Sequence, residues 1–225
     1  MCESALSSAR GEVEILVGTN CDEDTKAYFG LSDLPGVRMF TFGAAYTVSE
    51  IWNLLAQSAR GDLLLMGNDD QAYVTPGWDV RFEEEAGRFP DGMCVLWCDD
   101  GINGDKHAAF PCVTRKWYET LGYFAPEQGF RFFFNDTWAY DLGHRVGRLR
   151  YMPDVLVRHD HWTRSGVDDE TTKLNRKSAQ SAEDRRKWTD TIPIREAHAA
   201  KLMALMNEGA SLRPSSAVSS PARAS

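Results

Sequence analysis

Short apolar runs alternate along the chain with segments whose apolar residues recur at helical spacing. The runs are rich in β-branched and large aliphatic residues, which predicts strands at 12–19, 37–42, 63–66 and 93–98. Helical spacing of apolar residues predicts helices at 49–59, 78–88 and 115–121. Ser49 is the expected N-cap of the first of these helices. Strands that alternate with helices predict an α/β fold with a mostly parallel central sheet flanked by helices.

The last part of the chain differs in composition from the part before it. A short strand is predicted at 155–157, and it completes an α/β domain over residues 1–162. Residues 163–210 are rich in charged residues and helix formers, which predicts a helical C-terminal extension. Residues 211–225 are rich in Ser, Pro and Ala and low in complexity, so we expect them to be disordered.

The stretch 62–79 contains the most informative strand end. Its apolar run stops at Gly67 and is followed by Asn68, Asp69 and Asp70. Two adjacent carboxylates at the end of a buried strand repel each other unless a cation or a hydrogen-bond network offsets the repulsion. The arrangement therefore indicates a metal site, although Gly, Asn and Asp are also the commonest residues of a simple polar turn.

Acidic and imidazole side chains follow two other predicted strands. Asp22 and Asp24 come after the first strand, at the sheet end where open α/β folds bind ligands; a solvated acidic loop is the alternative. His159 and His161 follow the last strand and flank Asp160. Two His residues around an Asp modestly favour a site over an isolated surface histidine.

Charge and cysteine content narrow the class of protein. The formal net charge is −8, and the first 162 residues carry the acidic excess, which argues against a broad nucleic-acid footprint. The five cysteines form no CxxC pair, so neither a disulfide framework nor a structural zinc site is indicated. Because there is also no signal sequence and no apolar run of membrane-spanning length, we expect a soluble, cytoplasmic protein.

Taken in order, these motifs resemble glycosyltransferase family 2 on the GT-A fold. The Asn68-Asp69-Asp70 triplet is similar to the DxD motif of that family. The resemblance covers roughly residues 12–162. Its other matching pieces, in chain order, are Asp22 and Asp24, the 49–53 helix start, Ala59-Arg60-Gly61-Asp62, Gly77-Trp78-Asp79, residues 107–124, residues 134–142 and His159-Asp160-His161.

The resemblance implies an enzyme that moves a sugar from a nucleotide-diphosphate donor, first of all a UDP-sugar, to an acceptor hydroxyl. A divalent cation, Mn²⁺ or Mg²⁺, then stabilises the leaving diphosphate. By this resemblance Asp70 binds the cation together with His161 or its rival His159. Asp69 contacts the donor ribose or sugar. The full set of donor-binding residues that the resemblance implies is Thr19, Asp22, Asp24, Asn53, Asn68 and Asp69.

The resemblance also places a general base and an acceptor side. Asp136 occupies the position of the base that takes the acceptor proton in an inverting reaction, although capping the helix that follows is an alternative role. The residues expected on the acceptor side are Trp138, His107 and Trp97, although packing in the core is the alternative for the tryptophan rings. The acceptor itself is a glycan, a protein, a lipid carrier or a modified DNA base. The chain departs from the family pattern at Gly18-Thr19, where many members have a Pro-containing run, and at Asn68.

Two other functions fit the same residues. One is a non-catalytic module that binds a nucleotide sugar or a glycan on the same fold. The other is a Mg²⁺-dependent nucleotidyltransferase, since such enzymes also use paired carboxylates.

Overall fold

The computed structural model describes residues 1–20, 28, 30–43, 46–127, 129–130, 133–160 and 178–211. Strands and helices are mixed along the first part of the described chain, without the strict alternation that was expected, and two helices follow at its end. In order they are α1 (Cys2–Ser8), β1 (Ile15–Asn20), β2 (Val37–Phe42), α2 (Val48–Ser58), β3 (Leu63–Leu65), β4 (Gln71–Tyr73), α3 (Trp78–Ala86), β5 (Val95–Asp99), β6 (Cys112–Thr114), α4 (Arg115–Leu121), α5 (Asn135–Arg145), β7 (Leu149–His159), α6 (Ser178–Asp190) and α7 (Ile192–Ser211). A 3₁₀ turn at Gly104–Lys106 lies between β5 and β6.

The strands form two sheets within the described part of the chain. β1 and β2 pair in parallel, and the larger sheet has the order β3-β6-β5-β7-β4. In the larger sheet β5 and β7 are parallel, whereas β3 with β6, β6 with β5, and β4 with β7 are antiparallel. The prediction of a mostly parallel sheet is therefore wrong. The short strand β4 was not predicted, because three residues carry too brief a pattern to separate a strand from a turn.

Helix α2 begins at Val48, one residue earlier than the sequence indicated. Thr47 is its N-cap: its hydroxyl accepts from the backbone N–H of Glu50, whose carboxylate accepts from the Thr47 N–H. Ser49, the predicted cap, is instead buried in the helix and donates to Oδ1 of Asn135 at 2.5 Å. This bond ties the start of α2 to the start of α5.

Helix α5 begins without a capping side chain. Its N-cap is Phe134, which has a φ of 71°, so the predicted cap at Asn135-Asp136-Thr137 is wrong. Phe134 is the one non-glycine residue with positive φ in the described ranges, a conformation that costs about 1–3 kcal/mol. Its ring stacks on Trp188 of α6, with centroids 5.1 Å apart. The C-terminal helices thus support the strained residue that leads into Asp136.

The C-terminal helices share an apolar cluster with α4, α5 and β5. Buried residues from the two parts of the chain pack together in it, which makes the extension continuous with the α/β core. Members of this cluster include Val95, Trp117, Trp138, Leu142, Ala199, Leu202 and Met206.

A buried arginine adds polar contacts to this packing. Arg195 is 2% exposed, and its guanidinium carbon lies 3.5 Å from the ring centroid of Trp188 and 5.3 Å from that of Trp138. Its Nε donates to the carboxylate of Asp141 at 2.8 Å. Its Nη1 donates to the carbonyl of Trp188 and to the hydroxyl of Thr191. One side chain therefore connects α7 with both α6 and α5.

The N-terminal helix α1 was not predicted, and α3 holds it in place. The indole N–H of Trp78 donates to the carbonyl of Ala5 at 3.1 Å. The buried carboxylate of Asp79 accepts from the backbone N–H groups of Arg10 and Gly11. The Trp78-Asp79 part of the family-like motif therefore has a structural role in this chain.

The cysteines in the described ranges are buried and reduced. Cys2, Cys94, Cys98 and Cys112 are free thiols. Burial raises the pKa of the Cys94 and Cys98 thiols to about 12. Because the thiolate is the reactive form, these residues act as small apolar side chains of the core.

Gly18 lets α2 pack closely against β1, and enlarging it should destabilise the protein. A Cβ at this position would lie 2.5 Å from Cγ2 of Ile51, 3.1 Å from Phe42 and 3.2 Å from Leu55. We expect Gly18→Ala to lower the free energy of unfolding by about 1–3 kcal/mol, because α2 must move away from the strand. Urea denaturation measures the change. The matched control is Gly43→Ala, where nothing lies within 4 Å of the new methyl group; equal stability of the two variants would contradict the prediction.

Candidate active site

Asp70 and His159 meet at the edge of the larger sheet. Oδ2 of Asp70 lies 2.9 Å from Nε2 of His159. The sheet sets this distance, because Gln71 of β4 pairs with His159 of β7 and the Asp160 N–H donates to the Asp70 carbonyl. The ring of Phe110 packs against His159 with centroids 4.8 Å apart. The structure thus brings together two of the residues predicted to bind a cation.

The second oxygen of Asp70 is available to a ligand. Oδ1 is buried and has no hydrogen-bond partner in the described part of the chain. A buried carboxylate oxygen without a donor is unfavourable unless a ligand or solvent meets it. No group of three or more His, Cys, Asp or Glu side chains suited to a metal occurs among the described residues. His161, the other predicted ligand, lies outside those residues.

His107 and Asp136 form a second acid–imidazole pair. Nε2 of His107 lies 2.7 Å from Oδ2 of Asp136, in the first turn of α5. Oδ1 of Asp136 accepts from the backbone N–H and the hydroxyl of Thr137. The hydrogen bond to Asp136 raises the pKa of His107 above its usual value of 6.5, against an opposing effect of burial; the charges of Asp136 and Asp100 raise it further. Both side chains are 30% exposed, so solvent or a substrate can reach the pair.

Asp100 connects the two pairs and was not predicted. Its carbonyl accepts from the His159 N–H at 3.0 Å. Its buried carboxylate accepts from the N–H groups of Ile102 and Asn103 and from the Asn103 side chain. Burial raises the pKa of Asp100, but these hydrogen bonds outweigh it and lower the pKa below the usual value. The segment 99–106 is therefore closed around a carboxylate, and an Asp three residues before an Asn was the sequence signal for this turn.

The predicted donor-binding residues are placed unevenly. Thr19, at the end of β1, is 8% exposed, and its hydroxyl is buried without a hydrogen-bond partner in the described ranges. Asn68 and Asp69 precede β4, and Asp69 is exposed. The side chains of these two residues make no hydrogen bond to described residues, which leaves both open to a ligand. Asp22 and Asp24 lie outside the described residues.

The side chain of Asn53 is hydrogen-bonded to the backbone of the segment that follows α4. Its Oδ1 accepts from the N–H groups of Phe124 and Ala125, and its Nδ2 donates to the carbonyl of Ala125. The side chain thus fixes the segment after α4 to α2. Because the backbone engages its amide oxygen and one amide N–H, Asn53 has a scaffold role in this structure; its expected role in donor binding stays a prediction.

The two tryptophans expected on the acceptor side are core residues. Trp138 is 1% exposed, and its indole N–H donates to the hydroxyl of Tyr123. Trp97 is 5% exposed and donates to the carbonyl of Gly104. Its ring packs against Tyr140 and Tyr151. Both rings are buried, as the core alternative expects. His107 is the one member of that set with an accessible polar group.

A cavity of about 620 Å³ lies between β1 and β3, away from both pairs. The side chains of 13–16 and 63–65 line it, and none of the predicted site residues does. β1 and β3 belong to different sheets and are not hydrogen-bonded to each other, which leaves this space between them. The candidate site at the strand ends is therefore separate from this cavity.

The fold has a distant counterpart among solved structures. A mannosyltransferase from Pyrobaculum calidifontis, solved in complex with GDP-mannose and Mn²⁺, matches with a TM-score of 0.53. The match covers 95% of this chain and 71% of the mannosyltransferase, with 12% sequence identity. The chain has a glycosyltransferase-like fold. No family model and no curated protein sequence matches it.

The chain and the mannosyltransferase are similar in fold but only distantly similar in sequence. At 12% identity the likeness concerns the course of the chain, and the residues of the site must be judged by their own geometry. In the described ranges, no helix combines the length and the hydropathy needed to cross a bilayer.

Proposed function

We propose that this protein is a metal-dependent glycosyltransferase that moves a sugar from a nucleotide-diphosphate donor to an acceptor hydroxyl. The observation that carries the proposal, on a glycosyltransferase-like fold, is that Asp100 adjoins both pairs: its carbonyl accepts from the His159 N–H, and its charge acts on His107, which pairs with Asp136. The first pair suits the diphosphate end of a donor, and the second suits a proton acceptor. Transfer needs both functions in one site.

Asp70 and His159 fit as two ligands of a divalent cation. Oδ1 of Asp70 is buried and unpartnered, and the imidazole lies 2.9 Å from the other oxygen of the same carboxylate. One carboxylate and one imidazole suit Mn²⁺ and leave positions for phosphate oxygens and water. When bound, the cation would supply positive charge next to the leaving diphosphate. His161 would complete the set from outside the described residues.

Each of the other predicted donor-binding residues would contact a particular part of the donor. Asp69 and Asn68 directly precede Asp70 and present unengaged polar groups, so they would contact the ribose or the sugar. Thr19 would meet the nucleotide with its unpartnered hydroxyl. Asp22 and Asp24 would read the base or the ribose. A UDP-sugar and GDP-mannose are the donors to test first, the latter because the structural neighbour binds it.

The proposal is tested by donor binding and product mass. Thermal-shift measurements with UDP-, GDP-, CMP- and dTDP-sugars, with and without Mn²⁺, should reveal one donor whose stabilising effect requires the cation. That donor is then incubated with glycan, protein and lipid acceptors. We expect release of a nucleoside diphosphate and a mass gain of one glycosyl unit. A gain of one nucleotidyl unit would indicate a nucleotidyltransferase, and the absence of any donor-induced shift would contradict the proposal.

A non-catalytic binding module makes a different prediction. Such a module would bind a nucleotide sugar but release no diphosphate from it. Asp136→Asn separates binding from turnover within the enzyme, because it removes the carboxylate and keeps its size. We expect this variant to bind the donor as the wild type does and to turn over more slowly.

A further inference from the structure

We infer that His107, held by Asp136, is the group that takes the proton from the acceptor hydroxyl. The inference rests on the proposed function and changes the role that resemblance assigned to Asp136. Three observations carry it: the engagement of both carboxylate oxygens of Asp136, the accessibility of His107, and the position of Asp100.

Asp136 is engaged at both oxygens. Oδ2 faces Nε2 of His107 at 2.7 Å, and Oδ1 receives two donors from Thr137, at 2.7 Å and 3.1 Å. Hydrogen bonds to a carboxylate lower its basicity, because they stabilise the charged form. These three contacts fill most of the roughly four acceptor positions of the carboxylate, so Asp136 is a weakened base for an incoming hydroxyl.

His107 presents the free nitrogen. Because an ionised carboxylate only accepts, Nε2 of neutral His107 carries the proton and Nδ1 has the lone pair. Nδ1 makes no hydrogen bond within the described part of the chain. The side chain is 30% exposed and its ring lies beside Tyr140, with centroids 6.1 Å apart. An acceptor hydroxyl can therefore approach Nδ1 without breaking any bond described here.

The charges around His107 suit an imidazole that gains a proton. Asp136 on α5 and Asp100 at the end of β5 both act on it with negative charge, while Lys106 next to it in the chain is exposed. The imidazolium formed during transfer would be stabilised by the carboxylate at 2.7 Å. Asp136 is thus a positioning residue, which fixes the tautomer and orientation of His107.

The proposed step transfers one glycosyl group to the acceptor and one proton to His107. The acceptor oxygen forms a bond to the anomeric carbon of the donor while its proton passes to Nδ1 of His107. The bond between the anomeric carbon and the diphosphate oxygen breaks, and its electron pair leaves with the nucleoside diphosphate. The proton on His107 is then released to solvent, which restores the neutral imidazole.

Variants at both positions test the inference through pH profiles. With His107 as the base, kcat of the wild type should rise with pH along a limb that lies above 6.5, because the pKa of His107 is raised. His107→Gln should reduce kcat by about 10²–10⁴-fold with little change in KM. Asp136→Asn should keep a histidine limb but move it to lower pH. The control is His144→Gln, an exposed histidine on the same helix α5.

A measurement without turnover accompanies the kinetics. The pKa of His107, followed by NMR and assigned by its loss in His107→Gln, should coincide with the kinetic limb and fall in Asp136→Asn. If His107→Gln turns over at the wild-type rate with a limb near the carboxylate value of about 4, Asp136 is the base and the inference is overturned. If the wild type itself turns over no nucleotide sugar that it binds, the proposed function fails, whatever the titration of His107 shows.

Discussion

Replacing Asp70 by asparagine is expected to lower kcat/KM for sugar transfer by about 10³-fold, equivalent to about 4 kcal/mol. The variant keeps the size of the side chain and removes the charge that would hold the cation. The buried Oδ1 of Asp70 has no partner in the described part of the chain, so the fold itself loses little. Thermal shift should show no Mn²⁺-dependent stabilisation by the donor, while the melting temperature without ligands stays near that of the wild type.

Two comparisons make the Asp70 result specific. Asp33→Asn removes an exposed carboxylate in the same chain and should leave transfer unchanged. His159→Gln should reduce transfer in the same direction, and the double variant should be no worse than the more damaged single one, because the two side chains serve one function. Transfer at the wild-type rate by Asp70→Asn in the presence of EDTA would exclude the assigned metal site.

Arg195→Met is expected to lower the free energy of unfolding by about 3 kcal/mol, from lost cation–π contact and lost charged hydrogen bonds. Methionine keeps much of the buried volume but leaves the carbonyl of Trp188 and the hydroxyl of Thr191 without their donor. Asp141 keeps Arg145 as a partner at 2.7 Å, which limits the loss. In a chain of this size the melting temperature should fall by about 6–12 °C.

The control for Arg195 is Arg186→Met on α6. Arg186 is exposed, and its replacement should change stability by less than about 0.5 kcal/mol. Arg195→Lys should lie between the wild type and Arg195→Met, since lysine keeps the charge but cannot reproduce the planar fork. A melting temperature of Arg195→Met equal to that of Arg186→Met would show that the buried cation contributes nothing.

Local patterns in the sequence located most elements, but they did not determine how the strands pair. β2 and α4 fall at their predicted bounds, and Gly122 ends α4 with a φ of 86°, as a glycine after a helix allows. The antiparallel pairing of β3 with β6 and of β4 with β7 was missed. Pairing joins residues as far apart as Tyr73 and Val157, and no local periodicity carries that information.

The candidate site was predicted in part for the same reason. Asp70 and His159 were assigned to one site on the strength of a family resemblance, and the structure places them 2.9 Å apart. His107 and Asp136 were both named but not as a pair, because they lie 29 positions apart and no local pattern indicates their contact. Trp138 and Trp97 pack in the core, an alternative that the sequence left open, because the spacing of aromatic residues does not show which of them a ligand can reach.

The stacking of Phe134 on Trp188 has a consequence for cooperativity. Amide hydrogens of α5 and α7 should exchange with solvent at similar rates, because the two helices share buried contacts and open as one unit. A chain cut after residue 160 would then lose protection throughout α5, including the turn that carries Asp136. The change in composition near residue 162 divides the sequence, but the unit that unfolds runs across it.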